Sequence, residues 1–330
     1  MTFDVAIIGA GMAGLSAART LRSAGQRVVV VDKGRGVGGR LATRRIGNAR
    51  LDHGAQFFTV RGDEFRAVID EAIAAGVVHA WCHGFAGDDG YPRYACKGGM
   101  TALAKWMAAD LIESGDLMTS TRIERLDHDG ATWQLRDEAN IAANSTAAII
   151  TAPVPQTLDL FAASDIHPDQ AIADDLQSIR YKPVLGLLVT LDDAPTIPSP
   201  GAVQATEDDH FTFVADNVAK GVSTTPAVTF HANGAVSAAR WDDPEADVIR
   251  DFLAVAQPWI GDAVVQEVEL KRWRYAGPIA PYPQRFLTAV TAPGPIVLGG
   301  DAFGGPKVEG AFNSGIACAQ AVLSEFGTDA

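Results

Sequence analysis

Phe3-Asp4-Val5-Ala6-Ile7-Ile8-Gly9-Ala10-Gly11-Met12-Ala13-Gly14 decides the fold. Phe3 to Ile8 is rich in apolar and β-branched residues and predicts a strand buried on both faces, as in a parallel sheet. Gly9, Gly11 and Gly14 form a G-x-G-x-x-G set between that strand and a helix expected from Met12 to Ala24. Gly9 permits the tight turn, Gly11 lets backbone approach a pyrophosphate, and Gly14 allows close packing of helix on strand. The helix N-terminus offers free N–H groups and partial positive charge to the phosphates. Arg27 to Val31 is the second strand of this βαβ unit. Asp32 ends it, where an acid meets the ribose hydroxyls of an adenosine. The unit predicts dinucleotide binding without separating NAD from FAD.

Outward from this unit, composition bounds the rest. The chain has 330 residues, 27 Lys plus Arg and 40 Asp plus Glu, a formal net charge of −13. At roughly 150 residues per domain the length allows two domains. Apolar residues make up 47% and charged residues 20%, which suits an ordered globular protein. The acidic balance argues against a general nucleic-acid or anionic-membrane binder. Cys82, Cys96 and Cys318 are widely spaced and odd in number, so neither a disulfide framework nor a zinc pattern follows. No apolar run reaches the length of a membrane span, and a cytoplasmic protein is expected.

Helices are expected at Asp63–Ala75, Thr101–Glu113 and Val308–Glu325, and one within Pro244–Pro258. Asp129-Gly130 predicts a hairpin turn, and Ala147–Thr151 a strand. Val184–Leu191, Phe211–Val214 and Val228–His231 read as strands of an antiparallel sheet inserted into the nucleotide-binding domain. Ile296-Val297-Leu298 reads as a late strand. The expected division is 1–75, 97–154 and 270–330 for a discontinuous dinucleotide-binding domain, with 76–96 and 155–269 for a substrate domain.

Five further motifs carry chemistry. Arg35-Gly36-Val37-Gly38-Gly39-Arg40 follows directly on Asp32 and places two forked cations around a flexible loop. This R-x-x-G-G-R pattern resembles the FAD-binding signature of the flavin amine oxidase superfamily. Asp52-His53-Gly54-Ala55-Gln56-Phe57 is similar to the D-x-G-A-Q-[YF] segment of the renalase family, which runs close to the flavin ring. His53 by itself is more often structural than catalytic and is given no proton-transfer role. Tyr94-Ala95-Cys96-Lys97-Gly98-Gly99-Met100 resembles a renalase substrate-pocket segment, although Gly98 and Gly99 also suit a helix start. Gly299-Gly300-Asp301 and Val308-Glu309-Gly310-Ala311 resemble the second flavin signature, with Asp301 at the ribityl hydroxyls. There the last helix points its N-terminus at the N1–C2 edge. Trp273-Arg274-Tyr275-Ala276 resembles a bacterial renalase segment leading back to the flavin domain.

The resemblance implies an α/β architecture: a Rossmann-type FAD-binding domain with an inserted antiparallel-sheet substrate domain, like p-hydroxybenzoate hydroxylase and the amine oxidases. It implies non-covalent FAD, held by Gly9, Gly11, Met12, Ala13, Gly14, Asp32, Lys33, Arg35, Gly39, Arg40, Gln56, Phe57, Ile123, Asp301, Val308, Gly310 and Ala311. It places Phe58, Lys97, Gly98 and Trp273 at the substrate. Gly9, Gly11, Gly14, Gly36, Gly38, Gly39, Gly54, Gly299, Gly300 and Gly310 are expected where backbone approaches the cofactor. The implied activity is oxidation of 2- and 6-dihydro isomers of NAD(P)H by hydride transfer to flavin, with O2 reduced to H2O2. Such a transfer needs proximity and orientation more than acid or base, which suits a chain without a triad or metal cluster. The alternatives are an amine oxidase or desaturase on the same scaffold, and a flavin-binding regulatory protein.

Overall fold

The computed structural model describes residues 2–85, 87, 89–205 and 209–327. The first third of the chain holds β1 (Thr2–Ile8), α1 (Met12–Ser23), β2 (Val28–Val31), β3 (Thr43–Ile46), β4 (Ala49–Asp52), α2 (Asp63–Ala74), β5 (Val78–Cys82), β6 (Arg93–Cys96), α3 (Thr101–Met107), α4 (Ala109–Ser114) and β7 (Leu117–Met118). Next come β8 (Arg125–His128), β9 (Trp133–Arg136), β10 (Ile141–Ile150), α5 (Val154–Ala163), α6 (Gln170–Ser178), β11 (Tyr181–Leu191), β12 (Ala202–Gln204), β13 (Phe211–Asp216) and β14 (Ala227–Ala232). The chain closes with α7 (Gly234–Ala239), α8 (Glu245–Ile260), β15 (Val265–Pro278), β16 (Leu287–Val290), β17 (Ile296–Leu298) and α9 (Lys307–Gly327). Among the described residues no helix is long and apolar enough to cross a membrane.

Two compact units emerge: 1–39, 104–180 and 277–330 make the first, and 40–103 with 181–276 the second. These limits fall elsewhere than the sequence-based boundaries. Residues 40–75, 97–103 and 270–276 go with the second unit, and 155–180 with the first. The causes are long-range. Leu51 packs with Leu188 and Ala227, while α5 packs on β8, where Leu126 N–H donates to Ser164 Oγ at 2.8 Å.

The first unit is an α/β sheet in the order β16-β17-β10-β1-β2-β7. The β17, β10, β1, β2 and β7 strands are parallel, and β16 and the β8–β9 hairpin add antiparallel pairs. Val5, Ala6, Ile7 and all four valines of β2 are buried, as continuous apolar runs require in a sheet covered on both faces. The α1 and α9 helices pack closely: Ser16 Oγ donates to Phe312 O at 2.8 Å. A Cβ on Gly315 would lie 2.0 Å from Ala13 O.

In the second unit, the sheet order is β12-β13-β14-β11-β15. Its two faces follow the period-2 rule. Leu185, Leu187, Val189 and Leu191 of β11, Val228, Phe230 and Ala232 of β14, and Leu270 of β15 meet Val248, Phe252, Ala256 and Ile260 of α8. The alternate positions turn to the other face, where Leu188 and Ala227 receive Ile46, Ala49 and Leu51 of the β3–β4 hairpin. Thr229, His231, Lys271, Trp273 and Tyr275 share that second register.

Three expectations change in detail. The helix expected over 101–113 breaks at Ala108, although Ala108 N–H to Ala104 O and Ile112 N–H to Ala108 O, both 3.0 Å, carry the ladder across. The α8 helix runs past Pro258, and Thr196 donates to Pro258 O and Trp259 O in its last turn. The β3–β4 hairpin and the α5 and α6 helices were not anticipated.

Candidate functional site

At the carboxyl end of β1 the chain turns at Gly9, whose φ is +116° and whose N–H donates to Val31 O at 2.8 Å. The α1 helix starts with Gly11 as N-cap and no side-chain cap. A Cβ on Gly11 would meet nothing within 4 Å, whereas one on Gly14 would lie 1.9 Å from Gly9 O. Uncapped N–H groups over open space are what an approaching diphosphate requires. Asp32 is held at the end of β2: Ala10 N–H donates to Oδ2 at 2.7 Å and Gly34 N–H to Oδ1 at 2.6 Å. Both oxygens keep a lone pair for ribose hydroxyls. Gly38 N–H donates to Ala10 O at 2.8 Å, which lays the arginine–glycine loop along the first turn. Met12 and Ala13 open α1 and are buried. Gly39, with φ +51°, would bring a Cβ to 3.6 Å from Gly11 Cα.

Arg35 is exposed on this loop. Lys33 donates to Gln156 Oε1 at 2.8 Å, and desolvation with the nearby Arg122 lowers its pKa. Ile123 is half-buried in the segment leading to β8. Asp301 is 9% exposed, following Gly300, whose N–H donates to Ser314 Oγ at 2.8 Å. Val308, Gly310 and Ala311 form the first turn of α9. Cys318 is buried and its thiol is pushed up to about 12 by desolvation, so it offers no thiolate for a covalent flavin link. These residues fit a non-covalently held dinucleotide.

The glycine expectation needs correction. Gly11 and Gly36 face open space. A Cβ on Gly14 would lie 1.9 Å from Gly9 O, as its expected role in close helix-on-strand packing requires, while Gly54 and Gly310 are required by protein backbone as well: added Cβ atoms would lie 2.0 Å from Arg40 O and 2.0 Å from Gly305 O. Gly299 is required by Cys318 Sγ at 2.4 Å.

The second unit assembles its own group of predicted residues. Trp273 on β15 donates through Nε1 to His53 O at 2.7 Å, and its ring stacks on the His53 imidazole at 5.3 Å and 23°. His231 Nε2 lies 3.2 Å from the same carbonyl, which can only accept, so Nε2 carries the proton. Burial, with Lys271 and Arg44 nearby, lowers the His53 pKa to about 4, and burial lowers that of His231 to about 4. Both rings are neutral at pH 7. Arg44 forks onto Glu269 at 2.9 and 3.0 Å, and Lys271 pairs with the same carboxylate. Arg40 Nη1 donates to Tyr275 O at 3.2 Å. Around the His53–Trp273 stack, cations outnumber carboxylates.

Other predicted residues are placed differently. Phe58 is 4% exposed and its ring stacks on Tyr94 and packs on Phe65, so it is core and not the substrate wall expected of it. Phe57 lies in an aromatic cluster with Phe85 and Phe213. Gln56 is buried: Nε2 donates to Asp52 O at 2.7 Å and Oε1 accepts from Lys220 at 3.1 Å. Its side chain is thus engaged inside the unit. Lys97 is exposed at the end of β6. Gly98 has φ +76°, a left-handed conformation that favours glycine independently of any ligand.

Sequence reasoning missed Lys220, Asn217, Thr43, Thr229 and His231. Lys220 is fully buried and 2.8 Å from Asp52 Oδ2. Asn217 Oδ1 accepts from Asp52 N–H at 3.2 Å, and Thr229 Oγ1 donates to Asp52 O at 2.9 Å. The one available signal was a lysine inside the otherwise apolar run Val218-Ala219-Lys220-Gly221.

Comparison with known proteins agrees with this geometry. A model of NAD(P)-binding Rossmann-like domains matches residues 7–72, and one of flavin-containing amine oxidoreductases matches residues 78–323. A putrescine oxidase of Kocuria rosea is 43% identical over 68 residues, 21% of this chain and 14% of that protein. The chain thus aligns with about one-seventh of that curated relative. A cyclohexylamine oxidase from Brevibacterium oxydans superposes with a TM-score of 0.75 at 14% identity, covering 98% of this chain and 99% of the other. A putrescine oxidase with bound putrescine gives 0.68 at 15% identity over the same shares. At such identities the likeness is one of fold.

Proposed function

The chain belongs to the flavin-containing amine oxidoreductases, a family of FAD-dependent oxidoreductases, and within it we propose a renalase-like oxidase of 2- and 6-dihydro isomers of NAD(P)H. The carrying observation is the character of the face around His53 and Trp273: flat, neutral at the rings and rich in cations. A dihydronicotinamide is a flat neutral ring on an anionic diphosphate. An amine substrate is a cation at neutral pH, and Arg44 and Lys271, with Glu269 as their shared carboxylate, disfavour it.

When bound, FAD supplies a ring that accepts hydride and passes the electrons to O2, giving NAD(P)+ and H2O2 as products. The chain's own residues have a smaller task. Trp273 and His53 orient a flat donor. The neutral imidazole of His53 does not repel the cationic nicotinamide that forms as hydride leaves. The hydride transfer itself moves no separate proton, and the one proton that H2O2 takes up can come from solvent, which agrees with a face whose histidines are both held uncharged.

A second reading rests on the similar proteins, a putrescine oxidase and a cyclohexylamine oxidase. Anaerobic titration of the yellow protein separates the two. Rapid bleaching by the 2- or 6-dihydro isomers, slow bleaching by ordinary 4-dihydro-NADH and none by putrescine or cyclohexylamine is the expected outcome. Bleaching by an amine with no response to the isomers overturns the proposal.

A further inference from the structure

Lys220 is costly to bury. Its side chain and that of Asp52 are each 0% exposed, and their Nζ and Oδ2 atoms are 2.8 Å apart. Desolvation drives the Lys220 pKa down and the Asp52 carboxylate opposes the shift. Removing two such charges from water carries a heavy desolvation cost, and well-packed apolar pairs of the same volume are often as stable or more so. The ion pair is therefore poorly explained by stability alone. Buried polar networks do, however, specify one arrangement of the groups they join, and here the Asp52 Oδ2 contact is held by charge without an aligned hydrogen bond.

What this network specifies is the segment 52–56. Asp52 Oδ1 accepts from Thr43 Oγ1 at 2.6 Å and from Met100 N–H at 2.8 Å. Lys220 closes the other side through Asp52 Oδ2 and Gln56 Oε1, the latter at 3.1 Å. Gln56 in turn donates to Asp52 O and Gly54 O at 2.7 and 3.2 Å. Both ends of the segment are tied, and between them His53 presents the carbonyl that receives Trp273 Nε1. An apolar pair would fill the volume and leave Gln56 Oε1, the Thr43 hydroxyl and Met100 N–H without their partners.

We infer that Lys220 and Asp52 act together as positioning residues that set the His53–Trp273 stack on which the donor ring rests. This rests on the proposed reading that the stack faces substrate. Neither residue touches the donor, so the consequence is one of geometry: the pair determines where the indole can lie, and its loss lets the stack shift.

The test uses full-length, FAD-loaded protein, with Lys220→Met and the neutral double variant Asp52→Asn/Lys220→Met, the latter covering failure of the single variant to fold. Anaerobic flavin reduction is followed well below each melting transition, and the rate per bound flavin and half-saturating donor concentration are read separately. The expected result is a rate at least about tenfold lower with a raised half-saturation. Trp273→Phe supplies the readout that a merely structural role would not move. Its effect on the wild type shrinks to about threefold or less once the pair is gone, because coupled groups are not additive. Wild-type rates in a folded variant, or full additivity with Trp273→Phe, overturn the inference. If the wild type responds only to an amine, the substrate reading has failed, and the same cycle run with that amine still decides the role of the pair.

Discussion

Acid should weaken this protein through two histidines before most of its carboxylates protonate. His53 and His231 have folded pKa values of about 4 against an ordinary 6.5, in both cases chiefly through burial. Between those values the unfolded chain binds protons that the folded chain does not, so stability falls as pH drops through the window. At pH 5 the loss is about 2 kcal/mol per imidazole, or about 4 kcal/mol for the pair, relative to pH 8. Urea unfolding at pH 8, 6.5 and 5 with saturating FAD measures it. The control is His53→Phe/His231→Gln, which keeps a ring on Trp273 and an N–H donor toward His53 O while removing both titrations. Salt-bridged carboxylates such as Asp4 and Asp251, whose pKa values are lowered by arginine partners, contribute equally to both proteins and cancel. The wild type should lose about 4 kcal/mol more than the control between pH 8 and 5. Equal losses would refute the assignment of buried neutral imidazoles.

Two further outcomes follow from the geometry. Gly315→Ala places a Cβ 2.0 Å from Ala13 O and 2.1 Å from Ser16 Oγ, which forces α1 and α9 apart. It should cost on the order of 1–3 kcal/mol, visible in thermal melts together with reduced FAD retention. Trp273→Phe keeps an aromatic ring but removes the 2.7 Å donation to His53 O. It should raise the half-saturating donor concentration about tenfold while leaving the melting temperature nearly unchanged, as loss of one hydrogen bond of about 1 kcal/mol implies.

The dinucleotide-binding half was legible because its signals are local. Strand, glycine turn, helix and acid lie within Phe3 to Asp32, and each is dictated by steric and hydrogen-bonding rules acting over a few residues. The sheet registers of β11 and β14 were legible for the same reason, since alternation is a property of the strand itself. The α5 and α6 helices were not, because the expected sheet domain masked a weaker helical pattern. Phe58 was misplaced because an aromatic beside a ligand and an aromatic in a core have the same sequence appearance. Only Tyr94 and Phe65, brought beside it by β6 and α2, distinguish them.

The sequence by itself determined the first βαβ unit with its glycine turn, and placed Asp32 and the arginine–glycine loop against that turn. Tertiary structure alone decided what Asp52, His53 and Gln56 do. Their motif reads as cofactor-facing, yet Asp52 and Gln56 turn inward to Lys220, and His53 turns to Trp273. The physical reason is that a charge can leave water only where a distant partner meets it. Which of the 27 lysines and arginines would do so is settled by packing of strands far apart in the chain.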